Sequence, residues 1–206
     1  MSPRNVFLFV FDTMADWETS FAIAGIHNPR YQQQPGRHRV VTVGTTRKPV
    51  TTMGGLRVIP DTTLNEIDSN DAAMLILPGG ETWESHSNME AIEMARVCFI
   101  ESVPIAAICG ATFALARAGM LDDFHHTSNS RDYLIASGYR GEKFYCDVPA
   151  VTDESVITAS GLAPLEFARE IFKTLDLYTP SALEAWYSLY KFGNATRYQE
   201  LANCAA

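Results

Sequence analysis

Three short stretches of the chain hold residues whose types and spacing could do chemistry. In AAICGAT, residues 106 to 112, small apolar residues end in Cys109 and pass through Gly110 into helix-favouring sequence. A thiol at such a strand-to-helix corner faces solvent, and the first N–H groups of the helix point at whatever it attacks. Those donors and the helix dipole favour a thiolate, lowering a thiol from about 8.5 into the range ~3.5–7.5 in known cases. They could equally serve as an oxyanion hole. A small core residue fits the same pattern, because free cysteine is among the most buried types. Cys98, Cys146 and Cys204 occupy no such corner and read as structural thiols.

The second stretch is LPGGE, residues 77 to 81, where Gly79 and Gly80 follow an apolar run. Adjacent glycines let the backbone approach a ligand and offer N–H groups to an anion, although a plain turn would look the same. A phosphate loop is not indicated, since neither G-x-G-x-x-G nor G-x-x-x-x-G-K-[ST] occurs. The third is DTMADWETS, residues 12 to 20, with Asp12, Asp16 and Glu18. Asp16 could cap a helix with Glu18 in its first turn. Alternatively, a carboxyl group from this loop points at the strand end that carries Cys109. Spacing does not separate the two.

These stretches must be brought together by the elements around them. Asn5 to Phe11 (NVFLFVF) is a continuous apolar run, as in a strand covered on both faces. Further strands are expected at Arg39 to Val43, Ala72 to Leu77, Pro104 to Ile108 and Val156 to Ala159, with a small Gly-Gly hairpin over Thr51 to Pro60. Helices are expected from Asp16 to about Gly25, Asn88 to Ser102, Gly110 to Ala118, Pro164 to Leu177 and Ser181 to Phe192. On the second of these, Met89, Ile92, Ala95, Val97 and Phe99 suggest one buried side. The last residues read as a loose tail. Alternating strands and helices imply an α/β fold with a mostly parallel sheet between two helical layers. Ligands of such sheets gather at the carboxyl ends of the strands, where all three stretches lie.

A chain of 206 residues without repeats or linkers is expected to form a single domain over residues 1 to 206. Its 47% hydrophobic and 19% charged content suits a soluble globular protein. A formal charge of -8 excludes nucleic acid and anionic membrane as expected partners, both of which need basic surface. No apolar stretch reaches the ~18 residues of a spanning helix, and the opening MSPRNVFLFVFD is too short and too soon acidic for a signal peptide. Four cysteines without paired spacing suit neither a disulfide framework nor a zinc site, and a reducing, cytoplasmic setting is expected. No metal or other cofactor is implied, and His125 and His126 lack a further ligand at the required spacing.

Taken in order, the W-E-T at Trp17-Glu18-Thr19, LILPGG ending at Gly80, AAICGAT around Cys109 and SGLAPLEFAREI from Ser160 to Ile171 resemble the DJ-1/PfpI (ThiJ) superfamily, related to class I glutamine amidotransferases. The resemblance covers about 165 residues. It implies a flavodoxin-like three-layer sandwich with Cys109 on a nucleophile elbow and Glu18 hydrogen-bonded to it. It also implies an anion pocket formed by Gly79, Gly80 and Gly110, and a homodimer acting on a small-molecule substrate. Reported roles in the family are amidase or protease-like hydrolysis, glyoxal-type aldehyde detoxification, stress sensing and chaperone-like action.

The chain departs from the family pattern at one place. Many members carry a histidine in a T-[TS]-H context beside the cysteine, whereas here Thr127-Ser128-Asn129 places Asn129 there. Asparagine cannot shuttle a proton. His126, three residues earlier, falls on the opposite face of a strand and could substitute only by rearrangement of the loop. Without a Cys-His pair, addition to a carbonyl is easier than amide cleavage, which needs a protonated leaving group. The expectation is therefore a cysteine-dependent hydrolase-like or glyoxalase-like enzyme, with Cys109 adding to the substrate and Glu18 exchanging the proton. A non-catalytic sensor using Cys109 oxidation, and a nucleotide-binding domain with an incidental cysteine, are the alternatives.

Overall fold

The apolar run after Pro3 forms β1 (Arg4–Phe9), and the buried AAMLIL run forms β6 (Ala72–Leu77) beside it. The computed structural model describes residues 3–85 and 87–203, so Cys204 lies outside the described residues. Between these strands come α1 (Asp16–His27), β2 (His38–Gly44), β3 (Val50–Thr51), β4 (Arg57–Val58) and β5 (Thr62–Thr63). After β6 follow α2 (Met89–Ile100), β7 (Ile105–Ile108), α3 (Gly110–Arg117), α4 (Arg131–Ile135), β8 (Ala150–Asp153) and β9 (Val156–Ala159). The chain closes with α5 (Pro164–Thr174), α6 (Pro180–Phe192) and α7 (Thr196–Asn203).

Seven strands form one sheet in the order β5-β2-β1-β6-β7-β9-β8, parallel except where β8 runs against β9. Helices flank this sheet, as an α/β sandwich of the flavodoxin type requires. The remaining pair, β3 and β4, makes the small antiparallel hairpin. From β1 the chain builds outward to β2 and β5, then returns to add β6 on the other side of β1. The strand order therefore reverses between β1 and β6, and the crevice at such a switch point is where this fold class binds ligands.

Four details differ from the sequence expectations. β1 leaves the ladder at Phe9, yet Val10 still donates to the Val43 carbonyl at 2.8 Å, and Val10 and Phe11 stay buried. On α2 the buried face is Ala91, Ile92, Ala95 and Cys98, while Met89 and Val97 are exposed. Helical spacing brings Cys98 under the helix with Ile92 and Ala95, so a small thiol takes the place assigned to larger residues. The edge strands β5 and β8 are too short for a period-2 signal. The tail expected to be loose forms α7, which packs on α6 and buries Leu201. No helix among the described residues is long and apolar enough to cross a membrane.

Close packing of α1 on α5 sets the position of the first site loop. Gly25 faces the Phe172 ring, which packs tilted against Tyr178 at 5.0 Å and edge-on against Trp186 at 4.9 Å, and a Cβ at position 25 would overlap that ring. Gly25→Ala gains helix propensity of about 0.5–1 kcal/mol but forces buried aromatics apart at about 1–3 kcal/mol. Net destabilisation in urea unfolding is expected, and an unchanged or raised midpoint would refute this packing account.

Candidate active site

Four neighbouring strands, β1, β6, β7 and β9, deliver their carboxyl ends to the same edge of the sheet. The segments that follow them carry Glu18, Gly79, Cys109 and Gly161 respectively. Parallel pairing forces this convergence, because each strand must be followed by a loop on the same side.

Cys109 stands where β7 becomes α3, with φ 58° and ψ -123°. This is the backbone geometry of the first central residue in a type II′ turn, a place that normally demands glycine. A non-glycine residue held there costs about 1–3 kcal/mol. Its N–H donates to the Ala159 carbonyl of β9 at 3.0 Å, extending the ladder to the last residue before the turn. The chain can then turn only by the positive φ, which throws the half-buried side chain up from the sheet. Such a strained strand-to-helix corner is the geometry of a nucleophile elbow.

Glu18, in the first turn of α1, is 1% exposed, and its Oε2 accepts the Gly79 N–H at 2.6 Å. The other two acids of that stretch serve the hairpin. Asp12 Oδ1 accepts from Thr51 N at 2.7 Å and Asp16 Oδ2 from Gly54 N at 2.6 Å. Asp16 is not the helix cap, because α1 begins at Asp16 itself and follows Ala15. Of the two readings of this loop, the carboxyl group directed at the cysteine is the one observed, and Glu18 supplies it.

The glycines divide by task. A Cβ on Gly79 would lie 2.6 Å from Cys109 Cβ and from Glu18 Oε2, so only glycine allows the approach. Its N–H is already given to Glu18, which removes it from the anion pocket expected from sequence. Gly80 packs against the Phe11 ring and pairs with Met14 in an isolated bridge. Gly110, the first residue of α3, directs its N–H at the Cys109 sulfur. Gly161 had no assigned role, yet a Cβ there would lie 2.9 Å from the sulfur and 3.1 Å from Glu18 Oε1. Its carbonyl accepts from the Trp17 indole at 3.4 Å, which brings that half-exposed ring to the rim. A signal for Gly161 existed: Ser160-Gly161 follows VITA as Cys109-Gly110 follows IAAI.

Asn129 reaches the sulfur. Its Nδ2 donates to Cys109 Sγ at 3.3 Å, and its Oδ1 accepts the Gly161 N–H at 2.9 Å. Because a backbone N–H can only donate, the amide is oriented with its NH2 toward sulfur. His126 does not substitute for the missing histidine. It is fully buried, with Nδ1 2.7 Å from the Phe124 carbonyl and Nε2 3.1 Å from the Tyr139 hydroxyl. A carbonyl requires Nδ1 to carry the hydrogen, so Nε2 accepts from Tyr139 and both nitrogens are engaged away from the thiol. His125 pairs with Asp153 at 2.9 Å. Among the described residues, no group of three or more His, Cys, Asp or Glu side chains could hold a metal ion.

The electrostatics reverse one expectation. Burial, followed by the Glu18 charge, pushes the Cys109 thiol up to about 11, against the Asn129 and Gly110 N–H groups that favour a thiolate. The helix-end donors are present, but desolvation outweighs them. Burial also raises Glu18 above the ordinary carboxylate range, against the Gly79 N–H and the thiol, which lower it. The Glu18 charge is thus a cause of the raised thiol, so the site resists negative charge on both groups at once. Cys98, pushed up to about 11 by burial alone, has no carboxyl partner.

Comparison with known proteins places this geometry. A family model described as the DJ-1/PfpI family matches residues 4–174. A Bacillus subtilis protein named as an uncharacterized protease, YoaZ, is 43% identical over 206 residues, 98% of each chain. The Caenorhabditis elegans glutathione-independent glyoxalase DJR-1.2 is 27% identical over 146 residues, 68% of this chain and 75% of that one. The crystal structure of a thiJ/pfpI family protein from Bacillus anthracis superposes with a TM-score of 0.92 at 42% identity, covering 100% of this chain and 98% of that chain.

Glu18→Gln is expected to lower the pH midpoint of Cys109 alkylation, because it removes the carboxylate charge while leaving burial in place. It should also stabilise the fold. A carboxyl raised on folding contributes stability below its ordinary value and loses it as pH rises through the folded value. The variant should therefore gain over the native chain at pH 8, by about 1.4 kcal/mol for each pH unit of elevation, and converge with it in acid. A midpoint that rises in Glu18→Gln would mean that the shared proton sits on the carboxyl.

Proposed function

Because the chain belongs to the DJ-1/PfpI family, we propose that it performs cysteine-dependent chemistry on a small carbonyl compound, with Cys109 as nucleophile and Glu18 as base. The observation that carries this reading is the Asn129 amide, fixed by Gly161 so that it can donate to sulfur and not accept from it. Glu18 is then the base next to the thiol, and its raised pKa brings it nearer to the operating range of a general base.

In this mechanism the Glu18 carboxylate takes the S–H proton as sulfur adds to an aldehyde carbon. The carbonyl π pair moves to oxygen, which takes a proton to give a hemithioacetal. With a 2-oxoaldehyde, Glu18 then removes the C1 proton and returns one at C2, leaving a 2-hydroxy thioester on Cys109. Water attacks that thioester, releasing a 2-hydroxy acid and restoring the thiol. Carbon is oxidised at C1 and reduced at C2, so no outside oxidant is required. The glyoxalase name of the C. elegans relative supports this class.

Amide cleavage fits less well, although the B. subtilis relative is named a protease. A leaving amine must be protonated, and the Asn129 amide is too weak an acid to do so, which leaves that task to Glu18 as well. The sensor alternative is weakened as well, since burial and the neighbouring Glu18 charge disfavour the thiolate that an oxidant attacks. A homodimer belongs to this reading, supported by Leu56 and Ile59 near the hairpin, which leave 62% and 68% of their surface in water. A single monomer species in sedimentation at micromolar concentration would remove that part.

Turnover of methylglyoxal to lactate tests the proposal. Cys109→Ser should abolish it. Glu18→Gln should lower it by about 10²–10⁴ while making Cys109 alkylate faster. This opposite movement distinguishes loss of a base from a damaged site. Native-level turnover in either variant would refute the assignment.

A further inference from the structure

Behind the elbow lies a buried pair of hydroxyls that the chemistry above does not use. Thr112, in the first turn of α3, is fully buried, and Ser128 is 3% exposed. Their oxygens are 2.6 Å apart, and Thr112 Oγ1 also lies 2.6 Å from the Cys109 carbonyl oxygen. A carbonyl cannot donate, so the Thr112 hydrogen goes to Cys109 and the Ser128 hydrogen goes to Thr112. The chain of bonds therefore runs from Ser128 through Thr112 into the backbone of the strained residue.

Ser128 immediately precedes Asn129, which is itself exposed and in no helix or strand. Thr127 binds elsewhere, its N–H to Thr158 Oγ1 at 2.9 Å and its hydroxyl to the Val148 carbonyl at 2.7 Å. Within residues 127 to 129, the side chains that reach the elbow are those of Ser128 and Asn129. One grips the Cys109 carbonyl through Thr112, and the other touches the sulfur.

We propose that Ser128 and Thr112 are positioning residues, a two-hydroxyl link that sets the Asn129 amide against the Cys109 sulfur. The link makes the elbow and the amide-bearing loop move as one body. It also explains why a fully buried helix position beside the cysteine holds threonine, where an alanine or valine would avoid burying a hydroxyl. The proposal rests on Cys109 as the reacting atom, but its test reads thiol reactivity and does not depend on any substrate.

The measurement is the rate of Cys109 alkylation by iodoacetamide at pH 8.5, read by mass spectrometry, together with the thermal midpoint of each variant. Asn129→Ala removes a donor to the thiolate and should slow the reaction about tenfold. Ser128→Ala and Thr112→Val should slow it similarly, whereas Thr112→Ser, which keeps the hydroxyl, should retain the native rate. The double variant Ser128→Ala/Asn129→Ala should be no slower than Asn129→Ala alone, since both changes remove one contact. A purely structural role would lower the thermal midpoint without moving the rate. If Asn129→Ala slows the reaction and Ser128→Ala does not, or if their effects multiply, the positioning proposal fails while the reading of Cys109 stands. Should Ser128→Ala not fold, equal rates in Thr112→Ser and Thr112→Val overturn it.

Discussion

The backbone of Cys109 at φ 58° is the constraint on which the rest of the site depends. An L-residue resists that conformation because its Cβ crowds the backbone. It persists because the residue is held from both sides. The ladder bond from its N–H to Ala159 prevents the chain from turning earlier, and α3, whose first turn bonds to the Cys109 carbonyl, prevents it from turning later. Between those limits the side chain has one direction available, toward the crevice between strand ends. Gly79 and Gly161 follow from this. Each lies where a Cβ would strike the cysteine, so both neighbouring loops must present bare backbone.

Crowding also governs the charge. Burial raises both Glu18 and Cys109, and the Glu18 charge resists ionisation of the thiol, whereas the thiol hydrogen bond favours the carboxylate. Burial and the Glu18 charge both favour the protonated thiol, and the carboxyl group lies beside it. A histidine in place of Asn129 could have accepted a proton, whereas an amide locked by Gly161 only donates, so it stabilises charge on sulfur without exchanging protons.

Much of the frame was legible in the residues. Continuous apolar runs such as AAMLIL mark strands buried on both faces, and their alternation with helical patterns leads to the parallel sheet that is observed. The turn at Cys109 was legible for a local reason, since an apolar run meeting Cys-Gly and then helix-forming residues marks a strand passing into a helix, but the same pattern also suits a buried core thiol. The short edges β5 and β8 and the helix α7 were not. Each is too brief or too polar to show a period, and each forms because something larger is present to pair or pack with it.

By itself, then, the sequence determined the class of fold and the strand ends at which chemistry can gather, while the absence of a histidine at Asn129 stood out only against the family it resembles. It could do so because apolar periodicity and residue chemistry are local properties of the chain. Tertiary structure decided which of Asp12, Asp16 and Glu18 faces the thiol, turned His126 away toward Phe124 and Tyr139, and brought Gly161 to within reach of the sulfur. It also decided that the thiol is raised and not lowered, because desolvation and the Glu18 charge depend on what lies within a few ångströms in space. Residues 18, 79, 109, 129 and 161 become neighbours only when four parallel strands end side by side.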